Sequence, residues 1–259
     1  MAFDFLNDAE NYKSAEQSHI GITMVLDKTL PLSYANNLMK IAGNYIDFIK
    51  FGWGTSILYN EDIFQDKINV YKSFNIEPYC GGTLFEIAII KNKIDDYFNH
   101  LKKYNINTIE ISDGSIDLSL EKKLYYISKA KDYGFTVLSE VGKKDVEKDK
   151  GIGLDLRIEM IKNEIKAGSD FIILESRESG KGIGIYDSNG IPKVSDVEEI
   201  VNKIDYKKLI WEAPLKNQQV YFIKKLGVDV NLGNINPDET ISLETIRRGF
   251  RGDTIDLLF

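Results

Sequence analysis

Two patterns of apolar residues alternate along the chain. Short runs rich in Ile, Val, Leu and aromatic residues are separated by longer stretches in which apolar positions recur at helical spacing, as expected of strand–helix–strand units. The runs Ile20–Leu26, Tyr45–Lys50, Glu77–Cys80, Thr108–Ser112, Thr136–Val141, Phe171–Glu175, Leu209–Glu212 and Val228–Leu232 predict strands. The stretches Tyr34–Ala42, Glu61–Phe74, Ile94–Tyr104, Leu120–Tyr133, Asp155–Ala167, Val197–Ile204, Gln218–Leu226 and Pro237–Arg248 predict the helices between and after them. Gly43, Gly134, Gly168 and Gly227 each follow a helical stretch and precede a strand, where a left-handed helix cap is free of Cβ strain. Pro237 before Asp238 and Glu239 suits a helix N-terminus. Eight such units in 259 residues predict an α/β fold, a single (β/α)₈ TIM barrel forming one domain over the whole chain. An open, doubly wound sheet is the alternative, because a strand count does not show closure. Residues Met1–Gln17 predict a short N-terminal extension, a helix that covers the barrel bottom or meets a neighbour.

Polar residues interrupt this pattern at one end of every predicted strand. In chain order these ends carry Asp27-Lys28, Lys50 to Thr55, Gly81-Gly82-Thr83, Glu110 with Ser112-Asp113-Gly114, Glu140 with Gly142-Lys143-Lys144, Glu175-Ser176-Arg177, Glu212, and Asn231 to Asn234. A parallel barrel gathers these ends on one rim, the face where such folds place their chemistry. Taken singly, a strand-end Glu most often belongs to an ion-pair network, and a strand-end Gly more often serves a tight turn than ligand approach. Lys144 and Lys148 read as a solvated face. The coincidence across all strands favours a working rim.

Composition narrows the chemistry. The chain is 43% hydrophobic and 28% charged, with a formal net charge of −7, which argues against general binding to nucleic acid or anionic membrane surfaces. No apolar run is long enough to span a bilayer, and the acidic N-terminus does not read as a secretory signal, so a cytoplasmic protein is expected. Cys80 is the only cysteine, which excludes an internal disulfide. His19 and His100 are the only histidines, and both read as structural or surface residues. Acid–base work therefore falls to carboxylates and lysines.

Four rim acids, Glu110, Glu140, Glu175 and Glu212, suit a hard cation such as Mg²⁺ or Mn²⁺ better than zinc. Gly233 and Asn234 fall where barrels commonly cradle phosphate. Lys28, Lys50 and Arg177 offer cationic donors to a phosphate or carboxylate, while Gly81, Gly82 and Ser112 read as further substrate-binding positions. The glycine-rich stretch Arg177–Tyr186 resembles a mobile lid more than a nucleotide-binding loop, since it lacks the Gly-Lys-Ser/Thr ending. The cluster Arg247-Arg248-Gly249-Phe250-Arg251 is either a ligand contact or the ordinary basic end of a helix.

Several of these segments together resemble the phosphosulfolactate synthase family: Lys50-Phe51-Gly52-Trp53-Gly54-Thr55, Gly81-Gly82-Thr83-Leu84-Phe85-Glu86, Glu110-Ile111-Ser112-Asp113-Gly114, Glu140-Val141-Gly142-Lys143-Lys144, Trp211-Glu212-Ala213-Pro214, Asn231-Leu232-Gly233-Asn234-Ile235 and Arg247 to Thr254. The likeness runs from about Gly21 to Thr254, with small departures such as Thr29 where the family pattern has Gly. It implies Mg²⁺-dependent addition of sulfite to phosphoenolpyruvate, giving (2R)-phospho-3-sulfolactate for coenzyme M or another sulfolactate route, in an enzyme classed as a carbon–sulfur lyase. On that implication Glu140, Glu175 and Glu212 hold or orient the metal, with Glu110 or Asp113 as substitutes. Gly233 and Asn234 bind phosphate, and Lys28, Lys50 and Arg177 handle sulfite and carboxylate charge. Lys143 is the expected proton donor to C2; alone, it reads equally as an ion-pair partner of Glu140 or Glu110. A homo-oligomer is expected. Two rivals remain at this stage: a metal-independent Schiff-base aldolase using Lys143 or Lys50, and a non-catalytic barrel serving as a scaffold.

Overall fold

The computed structural model describes residues 21–258; the predicted N-terminal extension and His19 lie outside the described residues. Eight parallel strands form one sheet in the order β3-β2-β1-β8-β7-β6-β5-β4. They are β1 (Thr23–Asp27), β2 (Phe48–Phe51), β3 (Glu77–Cys80), β4 (Thr108–Ile111), β5 (Thr136–Val141), β6 (Phe171–Leu174), β7 (Leu209–Glu212) and β8 (Leu232–Ile235). The end strands β3 and β4 lie side by side, so the sheet curls into a nearly closed barrel with one open seam. That is the (β/α)₈ TIM barrel expected, and it rules out the open sheet. Strand residues are buried almost throughout, as they must be when helices cover one face and the barrel interior fills the other. Each fully buried Val, Leu, Ile or Phe contributes roughly 1.5–3 kcal/mol.

Among the described residues ten α-helices surround the strands: α1 (Leu32–Ala42), α2 (Glu61–Lys72), α3 (Gly82–Ile90), α4 (Ile94–Lys103), α5 (Leu120–Asp132), α6 (Val146–Lys150), α7 (Leu154–Ala167), α8 (Val194–Lys203), α9 (Lys216–Leu226) and α10 (Thr240–Arg247). Local chemistry sets several of their ends. The Ser119 side chain accepts from Lys122 N–H at the start of α5, and Lys129 and Lys131 occupy its last turn, where the helix dipole favours cations. Gly168 ends α7 in the left-handed region at φ +117°. Gly134 after α5 is left-handed as well, at φ +74°.

The other two cap glycines differ from expectation. Gly43 is right-handed, at φ −56°, and starts a 3₁₀ turn. Its small size is what counts there, since a Cβ would come within 2.8 Å of the Phe74 ring. Gly227 has φ +103° but an extended ψ of 167°, so it turns the chain without forming a left-handed cap.

The largest displacement is in β8, which lies beyond most of the apolar run predicted for it. Val228 and Val230 precede the strand, and their carbonyls accept from the buried Arg247 guanidinium on α10. Arg247 thus closes the end of the barrel opposite the strand C-termini, and Arg248 pairs with Glu244. The helix α3 was not foreseen, because its sequence Gly-Thr-Leu-Phe-Glu-Ile-Ala-Ile-Ile is apolar on every side and shows no periodicity. Among the described residues no helix is long and apolar enough to cross a membrane.

Candidate active site

At the C-terminal rim a cavity of about 160 Å³ is lined by residues from the ends of all eight strands, among them Lys50, Glu110, Glu140, Lys144, Glu175 and Glu212. A volume of this size holds several waters, enough for a small-molecule site. Arg177, Glu178, Trp53, Asn234 and the Gly81-Gly82-Thr83 turn complete the wall.

Lys50 rises from β2 into the middle of the acids. Its Nζ lies 3.0 Å from Glu110 Oε2, 3.4 Å from Glu212 Oε1 and 3.7 Å from Glu140 Oε2. Burial opposes its charge, but Glu110, Glu212 and Glu140 outweigh that and hold the ammonium protonated well above its ordinary range. Glu110 also accepts Gly82 N–H at 2.6 Å; burial raises its carboxyl, against the pull of Lys50.

Glu140, Glu175 and Glu212 form the second feature. Each presents a carboxylate oxygen within 4.8 Å of the others, and all three are buried. Burial opposes ionisation of Glu140, yet Lys144 and Lys50 bring its carboxyl down to about 2. Burial, followed by the charges of Glu140 and Glu212, holds Glu175 well above the usual carboxylate range. Such crowding of like charge is costly unless something positive joins it.

The remaining sequence-derived positions divide between the cavity and its supports. Gly81, Gly82, Arg177 and Asn234 line the cavity. Asn234 is left-handed at φ +54°, and its buried Oδ1 has no hydrogen-bond partner. Gly233 does not line it. It sits inside β8, where a Cβ would meet Met24 Cε at 2.5 Å and Ile210 Cγ2 at 3.0 Å, so its role there is packing of the barrel interior. Ser112 stands behind the wall, with its hydroxyl 2.8 Å from Glu140 Oε1. Asp113 is taken by two lysines, with Oδ1 2.8 Å from Lys123 Nζ and Oδ2 2.5 Å from Lys143 Nζ.

That second contact places Lys143. Its ammonium also donates to the backbone carbonyls of Asp113 and Ile116 and does not line the cavity. Its chain neighbour does: Lys144 Nζ is 3.2 Å from Thr83 Oγ1. Burial works against the Lys144 charge, but Glu140, Glu175 and Glu86 together raise its pKa. The reading of Lys144 as a solvated residue is therefore corrected. Lys28 sits outside the cavity wall, where it pairs with Glu178 and lies 5.0 Å over the Trp53 ring.

The glycine-rich segment after β6 is held too firmly for a free lid. Gln218 Nε2 donates to Gly180 O and Gly190 O, Asp149 Oδ2 accepts Gly184 N–H, and the Tyr186 hydroxyl donates to Glu212 O.

A family model described as (2R)-phospho-3-sulfolactate synthase (ComA) matches residues 11–253. The chain belongs to that family. It is 49% identical to the phosphosulfolactate synthase of Methanocaldococcus jannaschii over 253 residues, covering 98% of each chain. To the phosphosulfolactate synthase of Bacillus subtilis it is 39% identical, covering 92% of this chain and 93% of the relative. Among solved structures, 3-hexulose-6-phosphate synthase from Salmonella typhimurium superposes with a TM-score of 0.57 at 14% identity, covering 87% of this chain and 98% of that one. A phosphonopyruvate hydrolase complex with oxalate and Mg²⁺ gives 0.54 at 14% identity, with coverages of 89% and 81%. At such identities these two likenesses speak for the barrel alone.

Two residues of the family segments gain a place that their sequence did not disclose, Lys144 in the wall and Glu86 behind it. Both depend on how closely α3 approaches β4. Gly82 makes that approach possible, since a Cβ there would fall 2.3 Å from Ser112 Cβ and 2.8 Å from Glu110 Oε1. Gly82→Ala should therefore lower stability by about 1–3 kcal/mol and reduce kcat/KM at the same time. Thermal unfolding and steady-state rates measured on one preparation would check it; unchanged values for both would show that α3 has room to spare.

Proposed function

We propose that this chain adds sulfite to phosphoenolpyruvate with the help of Mg²⁺, giving (2R)-phospho-3-sulfolactate in the manner of a carbon–sulfur lyase. The observation that carries the reading is the charge pattern of the cavity. Five carboxylates, Glu110, Glu140, Glu175, Glu178 and Glu212, line it against three cations, Lys50, Lys144 and Arg177. A small polyanion is repelled from such a wall until a divalent cation offsets the excess. The donors facing one another are all oxygen, which suits Mg²⁺. Glu140, Glu175 and Glu212 each bring a carboxylate oxygen within 4.8 Å of the others, so all three can face a single cation. Those three residues would hold it, and when bound it supplies a Lewis acid for the substrate's carboxylate.

The chain's own groups then account for the rest. The sulfur lone pair of sulfite forms a bond to C3 of phosphoenolpyruvate, and the π electrons of the C2–C3 bond move onto C2 and its carboxylate. Lys144, at the wall, gives its proton to C2 from one face, which fixes the configuration, and regains one from solvent. Arg177 and Asn234 are the polar groups that meet the anionic ends of the substrate. Lys50, encircled by acids, keeps its positive charge throughout and screens Glu110, Glu140 and Glu212 from one another. The product supplies coenzyme M synthesis or another sulfolactate route.

A Schiff-base mechanism fits less well. It needs a neutral amine, and the carboxylates around Lys50 and Lys144 favour the ammonium. A scaffold with no chemistry would gain nothing from four buried acids in one cavity.

The test is direct. Phosphoenolpyruvate and sulfite incubated with the protein and Mg²⁺ should give a new phosphate-ester signal in ³¹P NMR, absent when the metal is chelated. No new ester under any condition would overturn the proposal.

A further inference from the structure

Behind the wall of the cavity a second buried acid faces the carboxylate centre through a serine. Glu86, on the second turn of α3, is 1% exposed, and Ser112, just past β4, is fully buried. Glu86 Oε1 accepts Ser115 N–H at 3.0 Å and lies 2.9 Å from Ser112 Oγ. On its other side, Ser112 Oγ lies 2.8 Å from Glu140 Oε1 and accepts Gly114 N–H at 3.2 Å. Neither Glu86 nor Ser112 lines the cavity, so neither meets substrate.

The arrangement is built to tight tolerances. α3 reaches Ser112 only because residue 82 is glycine, and Gly114 is nearly as confined, with a Cβ position 3.1 Å from Glu140 Oε1. Three backbone or side-chain donors are thereby committed to one line of oxygen atoms running from α3 to β5. A carboxylate with two free oxygens and three like-charged neighbours would rotate to spread its charge. Glu140 has one oxygen tied from behind, which leaves Oε2 on the side of Lys50, 3.7 Å away.

We propose that Glu86 and Ser112 are positioning residues of the carboxylate centre: Ser112 offers its single hydroxyl proton to Glu140 Oε1, shared with Glu86 Oε1, and Glu86, by accepting Ser115 N–H, holds the turn that carries the serine. The inference rests on the metal reading of Glu140, Glu175 and Glu212 given above. Outer-shell partners of this kind are worth ~10–100-fold in metal affinity.

The test uses Mn²⁺ alone as probe, titrated into the full chain by calorimetry or electron paramagnetic resonance, without substrate. Ser112→Ala and Glu86→Ala should each weaken Mn²⁺ binding by about 10–100-fold. Glu86→Gln, which keeps an oxygen acceptor, should recover most of that loss. The double variant Ser112→Ala with Glu86→Ala should bind no worse than the weaker single variant, because both act through one hydroxyl. Ser112→Ala also guards against misfolding, as it removes one atom, and its near-UV circular dichroism should match the parent. Unchanged Mn²⁺ affinity in Ser112→Ala, or fully additive losses in the double variant, would overturn the proposal while leaving the metal reading intact. A parent protein that binds no Mn²⁺ would overturn both.

Discussion

Replacing Lys144 by Met should lower kcat by about 10²–10⁴-fold, the usual worth of a positioned proton donor, while Lys143→Met leaves it within about tenfold. The two lysines are chain neighbours, but their ammonium groups do different work. Lys144 reaches the cavity beside Thr83. Lys143 ties Asp113 and two backbone carbonyls outside it. Loss of Lys143 should appear instead as about 1–3 kcal/mol of stability, the cost of leaving buried acceptors short of a charged donor. Methionine keeps most of the lysine's apolar length, so the comparison isolates the ammonium. A second readout separates proton transfer from binding. With the parent protein in D₂O, the C2 hydrogen of added phosphosulfolactate should exchange with solvent in step with the reverse reaction, and Lys144→Met should stop that exchange. If Lys143→Met abolished turnover and Lys144→Met did not, the proton donor would be the other residue.

How far the sequence discloses this site depends on what each position requires. Glu110, Glu140 and Glu212 were legible because a charge within or at the end of an otherwise apolar parallel strand has few places to point except the rim. The choice between Lys143 and Lys144 was not. Strand alternation lapses at Gly142, which turns the chain at φ +143°, so the facing of the next two residues is set by tertiary contacts. Glu86 was hidden for a different reason. It stands in a run that is apolar on all sides, where a lone acid carries no period to read. Val228–Leu232 misled because β-branched residues favour strands, whereas β8 contains Gly233 and Asn234, both poor strand formers. Gly233 is there because the Met24 and Ile210 side chains fill the space a Cβ would take. That is a requirement of barrel packing, invisible to local propensity.

Neutralising one of the three clustered acids should trade metal binding for stability. Glu175→Gln removes a carboxylate faced by Glu140 from β5 and Glu212 from β7, with the Lys144 charge acting against them. Burial and those two charges hold the Glu175 carboxyl well above its ordinary 4.5, so the folded metal-free protein binds this proton more tightly than the unfolded chain does. The sign of the linkage follows: the unfolded chain loses the proton first as pH rises, so stability is greatest below about 4.5 and declines up to the folded-state value. Glutamine cannot ionise, and the decline should vanish with it. In the metal-free state the variant should therefore melt at a higher temperature than the parent at neutral pH, with the gap closing toward pH 4. Its Mn²⁺ affinity should fall by more than the ~10–100-fold expected for an outer-shell loss, and turnover of phosphoenolpyruvate with sulfite should fall with it. The cost of crowding like charges in a buried site is then the cost of holding a divalent ion, as expected where function opposes stability. Parent-like Mn²⁺ affinity in Glu175→Gln, or a melting gap that widens as pH falls, would show that these carboxylates serve as an ion-pair network around Lys50 and Lys144.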